Sequence, residues 1–122
     1  MEAPPEKPED LTDRTFAFAL RIVNLCQKLH DMPGVPRTLS YQLLKSGTST
    51  GANYEESQAA QSRLDFISKN CIALKEARET HYWIRLLIGA EILPQAGLSE
   101  LLDEANQIRK ILGAIVARSR SN

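Results

Sequence analysis

Ser46-Gly47-Thr48-Ser49-Thr50-Gly51-Ala52-Asn53 is the stretch on which the fold turns. Judged by propensity alone it is a loop, because each glycine in a helix interior costs about 1 kcal/mol relative to alanine. We read it instead as the middle of a helix. Small residues let the backbone of a second helix come close, as they do in tightly packed helical seams. The expected close contact is at Gly47, Gly51 and Ala52, inside a helix over roughly 37–60 on which Tyr41, Leu44 and Thr48 mark one face.

Outward from this stretch the same period recurs three more times. Upstream, Thr12 or Asp13 caps a helix over roughly 12–31. Its buried stripe is Phe18, Ile22, Leu25 and Leu29, widened by Phe16, Leu20 and Val23. Pro33-Gly34 ends that helix and Pro36 fixes the restart. Downstream, Ser62 and Asp65 form a start signal in which the serine caps and the aspartate reaches back. The helix that follows, over roughly 63–93, carries two stripes. One is Ile67, Asn70, Leu74, Ala77, His81, Ile84 and Ile88; the other is Ile72, Glu76, Glu79, Trp83, Leu86 and Ala90. Pro94 and Gly97 close it. Ser99 caps a last helix over roughly 99–118, with Leu101, Leu102, Ala105, Ile108, Ile111, Leu112 and Ile115 on its apolar face.

No alternating β-branched run or Asn-Gly hairpin turn interrupts this pattern. Short connections force sequential helices antiparallel, so the expected fold is all-α, an up-and-down antiparallel four-helix bundle. Residues 12–118 form the single domain, residues 1–11 a mobile, acidic, Pro-rich tail, and residues 119–122 a C-terminal tail. A chain of 122 residues buries enough surface to need no metal or disulfide. Cys26 and Cys71 read as two small buried hydrophobes. No apolar run reaches the ~20 residues of a membrane span. The N-terminus lacks the features of a secretory signal, which makes the cytoplasm the expected location.

Net charge is zero, from 15 basic and 15 acidic residues, but it is unevenly spread. Residues 1–11 carry −3, and residues 106–122 carry +4 from Arg109, Lys110, Arg118 and Arg120. Basic residues at a helix C-terminus complement its dipole, which accounts for most of this asymmetry. The same four residues are the candidate nucleic-acid contacts.

The patterns that carry chemistry are missing. A di-iron bundle needs Glu-x-x-His twice, yet Gln27 precedes His30 by three positions and Arg78 precedes His81. Too few Cys and His ligands stand close together for zinc. Gly47 and Gly51 have no following lysine and no preceding strand, so they form no phosphate loop. No catalytic residue, cofactor or metal is expected. The second stripe of the third helix is more informative. A lone bundle covers one face of each helix, and a helix apolar over more of its circumference needs a further neighbour. Glutamates 76 and 79 beside Trp83 look like the edge of an interface.

Ser46 to Glu56, Asp65-Phe66, and Ala73-Leu74-Lys75-Glu76-Ala77-Arg78-Glu79-Thr80-His81-Tyr82-Trp83 resemble the small bacterial four helix bundle protein family. The family includes proteins encoded by intervening sequences within large ribosomal RNA genes and the accessory variability determinant of diversity-generating retroelements. The resemblance spans roughly Leu11 to Arg118. It implies a bundle that assembles into a ring-like homopentamer. It also implies a structural or interface role for Ser46, Ser49, Asn53 and Glu56 on the second helix and for Lys75, Glu76, Glu79 and Trp83 on the third. The expected function is a non-enzymatic, homo-oligomeric scaffold or protein-interaction module. The alternative is a nucleic-acid-binding accessory protein that uses its basic C-terminal end. The retroelement members are strongly basic, whereas this chain is neutral, and that places the alternative second.

Overall fold

In the computed structural model, which describes residues 8–121, the chain is an all-α, up-and-down antiparallel four-helix bundle. Helix α1 spans Pro8–His30, α2 Val35–Gln58, α3 Arg63–Gly89 and α4 Ser99–Arg120, with a single 3-10 turn at Gln95–Gly97 before α4. Sequential helices pack along their lengths, and α1 meets α4 over a shorter contact that closes the bundle. The core is one cluster to which every helix contributes, including Phe18, Ile22, Leu43, Tyr54, Ile84, Leu87, Ile108 and Leu112.

The Ser/Gly/Thr stretch is helical throughout. The buried face of α2 is made of Ser40, Leu43, Ser46, Gly47, Thr50, Gly51, Tyr54 and Ser57. Buried hydroxyls are satisfied within the helix, as where Thr50 Oγ1 donates to the Ser46 carbonyl at 2.9 Å. The glycines bring α1 close. A Cβ on Gly47 would fall 2.7 Å from Ile22 Cγ2, and one on Gly51 would fall 3.0 Å from Thr15 Cβ. One expectation for this helix fails: Ala52 is exposed. Tyr41 and Leu44 do share a face, which lies outside the core at 58% and 37% exposure. The seam of small residues takes the core-facing position and turns the larger side chains outward.

Helix α1 starts four residues earlier than its cap signal suggests, and Leu11 is buried in the core at 1% exposure. The expected tail therefore does not extend to residue 11; its residues 1–7 lie outside those described. Phe16 and Leu20, read as part of the buried stripe, are 60% and 52% exposed. At the other end α4 runs through Ser119 and Arg120, so residues 119–120 belong to the domain. Arg63 at the start of α3 donates to the Ser119 carbonyl.

The connections follow from local chemistry. Gly34 has φ of +92°, a conformation that a side chain disfavours, and it allows the tight turn between α1 and α2. Ser62 Oγ accepts from the Asp65 backbone N–H at 3.0 Å, and the Asp65 carboxylate accepts from the Gln61 N–H at 3.3 Å. The start signal of α3 thus works as read. Its end does not: α3 stops at Gly89 instead of about 93. Glu91 takes a left-handed conformation with φ of +57°. The N–H of Glu91 then bonds the Ile88 carbonyl, and the N–H of Ile92 bonds that of Leu87, which terminates the helix. Ser99 is the first helical residue of α4 and makes no side-chain cap.

Candidate functional site

Of the family-motif residues, Ser46 lies in the α2–α3 seam. Ser46 and Thr80, both essentially inaccessible, share a 2.9 Å hydroxyl–hydroxyl hydrogen bond across it. Thr80 also lies 2.8 Å from the Glu76 carbonyl, which ties the seam to the turn carrying Glu76. On α2, Ser49 and Asn53 are half-buried, and Asn53 Nδ2 donates to the Ser49 carbonyl at 2.9 Å. Glu56 is exposed and adds to the field on Lys69.

On α3, Glu76 is only 7% exposed, and its Oε1 has no hydrogen-bond partner. Two turns further on, Trp83 is half-buried against the core with its indole N–H also unpaired. Its ring meets Tyr82 edge-on at 5.2 Å. Glu79 is half-buried and stands 4.0 Å from exposed Lys75. The second stripe of α3 is thus covered at Glu76 and partly at Trp83. It is open at Ile72 and Leu86, which are 40% and 37% exposed. Thr80 stands in the motif stretch of α3, but the sequence assigns it no role of its own because its partner lies 34 positions away.

The four C-terminal basic residues do not form one cluster. Residues two apart on a helix point about 200° apart, so Arg118 and Arg120 cannot line one face. Arg120 reaches α3, where its Nη2 lies 3.3 Å from Cys71 Sγ. Arg109 also faces α3, acting on His81 together with Arg85. Burial, first, and then these two arginines hold the His81 imidazole below its ordinary pKa. Lys110 and Arg118 are exposed elsewhere on α4. Sequence reading takes Arg78 and His81 singly and does not group them with Arg85, although their i, i+3, i+7 spacing places all three on one side of α3.

The remaining candidates carry little chemistry. Cys26 is buried, with its thiol 3.4 Å from the Ser40 carbonyl, and burial pushes its pKa up to about 11. Such a thiol is a poor nucleophile. Cys71 is half-buried rather than in the core. Among the described residues, no group of three or more His, Cys, Asp or Glu is placed to hold a metal ion, and no helix is long and apolar enough to cross a membrane.

The outer surface between α1 and α2 is an open apolar groove. One section of about 510 Å³ is lined by Phe16, Ala19, Leu20, Val23, Thr48 and Ala52. A second of about 670 Å³ continues from Val23 past Tyr41 and Leu44 to His30. On α3, which lies diagonally across the bundle from α1, Leu64, Ile72, Tyr82 and Leu86 are exposed.

A search of curated proteins finds no match. Among solved structures, the chain is similar to a crystal structure described as a protein with unknown function from the S23 ribosomal protein family of Bacteroides thetaiotaomicron VPI-5482. The two are 44% identical, with a TM-score of 0.80, over 87% of this chain and 97% of that one. Residues 9–114 match the family described as 23S rRNA-intervening sequence protein. Because that match takes in all of α2 and α3 and most of α1 and α4, the chain belongs to the 23S rRNA-intervening sequence protein family.

Proposed function

We propose that the protein is a non-enzymatic homo-oligomeric scaffold, a subunit that assembles with copies of itself through helix faces the bundle leaves open. The observation that carries this reading is the α1–α2 groove. Phe16, Leu20 and Tyr41 are each more than half exposed, the first two lining one section of the groove and Tyr41 the adjoining section that shares Val23. Monomeric proteins seldom leave so contiguous an apolar surface in water. Its occupant is the α3 face of a neighbouring copy, where Ile72, Tyr82 and Leu86 are exposed. Covering these side chains contributes roughly 25 cal/mol for each Å² of apolar surface removed from water.

Groove and α3 face are different surfaces on opposite parts of the bundle. A contact between unlike surfaces is head-to-tail, and it closes into a ring when the rotation permits. Family resemblance sets the number of copies at five; the two surfaces require only more than one. The half-buried motif residues Ser49, Asn53 and Glu79 and the unpaired Glu76 carboxylate border the α3 face, and they would find polar partners in a neighbour.

Light scattering coupled to size exclusion, run over a range of concentrations, tests the reading. The expected mass is a multiple of 13.6 kDa, five-fold for the ring. Phe16→Glu or Leu20→Asp, each at an exposed site, should return the protein to a folded monomer. A wild-type mass of 13.6 kDa at every concentration would overturn the assembly.

A further inference from the structure

The two surfaces that the assembly reading brings together differ in charge as well as in shape. Neither section of the α1–α2 groove is lined by a lysine or an arginine. Their charged residues are Glu55 and Glu56 at one end and Asp31 at the other, all exposed. Glu55 and Tyr41 stand 14 residues apart on α2, about 21 Å at ~1.5 Å per residue. Asp31 follows His30, whose ring meets Tyr41 edge-on at 5.7 Å. Carboxylates therefore stand at both ends of the apolar stretch.

Helix α3 presents the reverse. Lys75, Arg78 and Arg85 are exposed. At 3.6 residues per turn they fall with Tyr82 and Leu86 inside one arc of about 100°. Of the acids on α3, Asp65 is held by Lys69 and Glu76 is buried. Only half-buried Glu79 adjoins the arc, 4.0 Å from Lys75. Lys75 and Arg85 are about 15 Å apart along the helix, and their long flexible side chains cover the difference from the groove. Among the described residues, Asp31, Glu55, Arg78 and Arg85 make no salt bridge within the subunit.

This distribution discriminates between modes of contact. Apolar burial is non-directional and would accept groove on groove as readily as groove on α3. Groove on groove sets Asp31 and Glu55 against their own copies, and α3 on α3 does the same to Lys75 and Arg85. Like charges opposed across an interface cost several kcal/mol, whereas an exposed pair of opposite sign adds little. The chain has zero net charge, so no overall repulsion or attraction masks the effect.

We propose that charge selects what enters the groove: Asp31 and Glu55 of one copy meet the Lys75–Arg85 row on α3 of the next, which admits head-to-tail contact and rejects two-fold pairing of like faces. The inference rests on the assembly reading and adds the residues that orient it.

The test is sedimentation equilibrium of the full-length protein between about 0.05 and 1 M salt, over which the screening length falls to about 3 Å. Asp31→Lys/Glu55→Lys reverses the groove, and Lys75→Glu/Arg85→Glu reverses α3. The combination of all four reverses both and keeps the net charge at zero. Arg21→Glu/Lys28→Glu, at exposed sites of α1 outside both groove sections, is the control with the same net charge as the α3 variant. Each half variant is expected to raise the dissociation constant about tenfold or more at low salt, and the defect should narrow toward 1 M. The combination should recover at least about tenfold over either half, and the control should stay within about twofold. Recovery also excludes misfolding of the halves, since the combination carries every substitution; circular dichroism checks this directly. The pairing is overturned by a combination as weak as its halves, by halves that assemble like wild type, by a control that falls as far, or by a defect that high salt leaves unchanged. A wild-type mass of 13.6 kDa throughout overturns the assembly reading and this inference with it. A wild type that assembles, and that Phe16→Glu but neither charge variant returns to monomer, keeps the assembly reading and overturns the pairing alone.

Discussion

Gly47 of α2 lies directly against Ile22 of α1: a Cβ added to the glycine would sit 2.7 Å from Ile22 Cγ2 and 2.8 Å from Cγ1. Ile22 is fully buried and β-branched, so it has little freedom to give way. Gly47→Ala should therefore destabilise the bundle by about 1–3 kcal/mol through overpacking, even though alanine favours helix by about 1 kcal/mol. Gly113→Ala supplies the contrast, since its Cβ meets open space. That variant should gain about 1 kcal/mol. Urea unfolding of the two side by side checks both signs, and a stabilised Gly47→Ala would show that the α1–α2 approach is looser than described.

Glu91 ends α3 with φ of +57°, a conformation that costs a non-glycine residue roughly 1–2 kcal/mol. Its side chain is exposed, so replacing it removes no packing. Glu91→Gly should raise the thermal midpoint by a few degrees, as about 1 kcal/mol does for a domain of this size. An unchanged or lower midpoint would mean that glycine's added freedom in the unfolded chain outweighs the relieved strain.

The start of α3 makes a pH prediction. A hydrogen bond from Lys69, and then one from the Gln61 backbone, hold Asp65 below its ordinary pKa of 3.8. A depressed carboxylate adds stability that is fully present above its unfolded pKa and is lost as pH falls through the folded one. Wild type should lose more stability than Asp65→Asn as pH drops below 3.8, and the two should run parallel above about pH 6. Ser62→Ala, which removes the cap itself, should cost about 1 kcal/mol at neutral pH.

His81 reports on the α3–α4 seam. Burial, together with Arg109 from α4 and Arg85 from its own helix, keeps its pKa below the ordinary 6.5. In the free protein its NMR titration should have a midpoint under 6.5, and neutralising Arg85 or Arg109 should move that midpoint up. Since the unfolded chain binds this proton more readily, His81 favours folding most above its unfolded pKa, and that contribution fades as pH falls through it. A midpoint unaffected by Arg109→Gln would place the arginine away from the ring.

Periodicity located all four helices, because apolar residues three and four apart mark a face whatever the neighbours are. The hardest local question, the Ser46–Asn53 stretch, turned on residue size instead: a run of small residues reads as a packing seam where propensity alone reads a loop. The start of α3 was legible as well, since Ser62 and Asp65 act on backbone groups within four positions. Other features depended on distant partners. Phe16 and Leu20 look like core residues in sequence. They are exposed because glycines 47 and 51 draw α2 against Thr15 and Ile22, the adjacent side of α1. The Ser46–Thr80 bond and the burial of Glu76 required α2 and α3 to be in register. The basic residues of α4 read as one C-terminal cluster along the chain. Packing divides them, setting Arg109 against His81 and Arg120 against Cys71 of α3, because a helix separates neighbours in sequence by about 100° while its partner brings remote residues face to face.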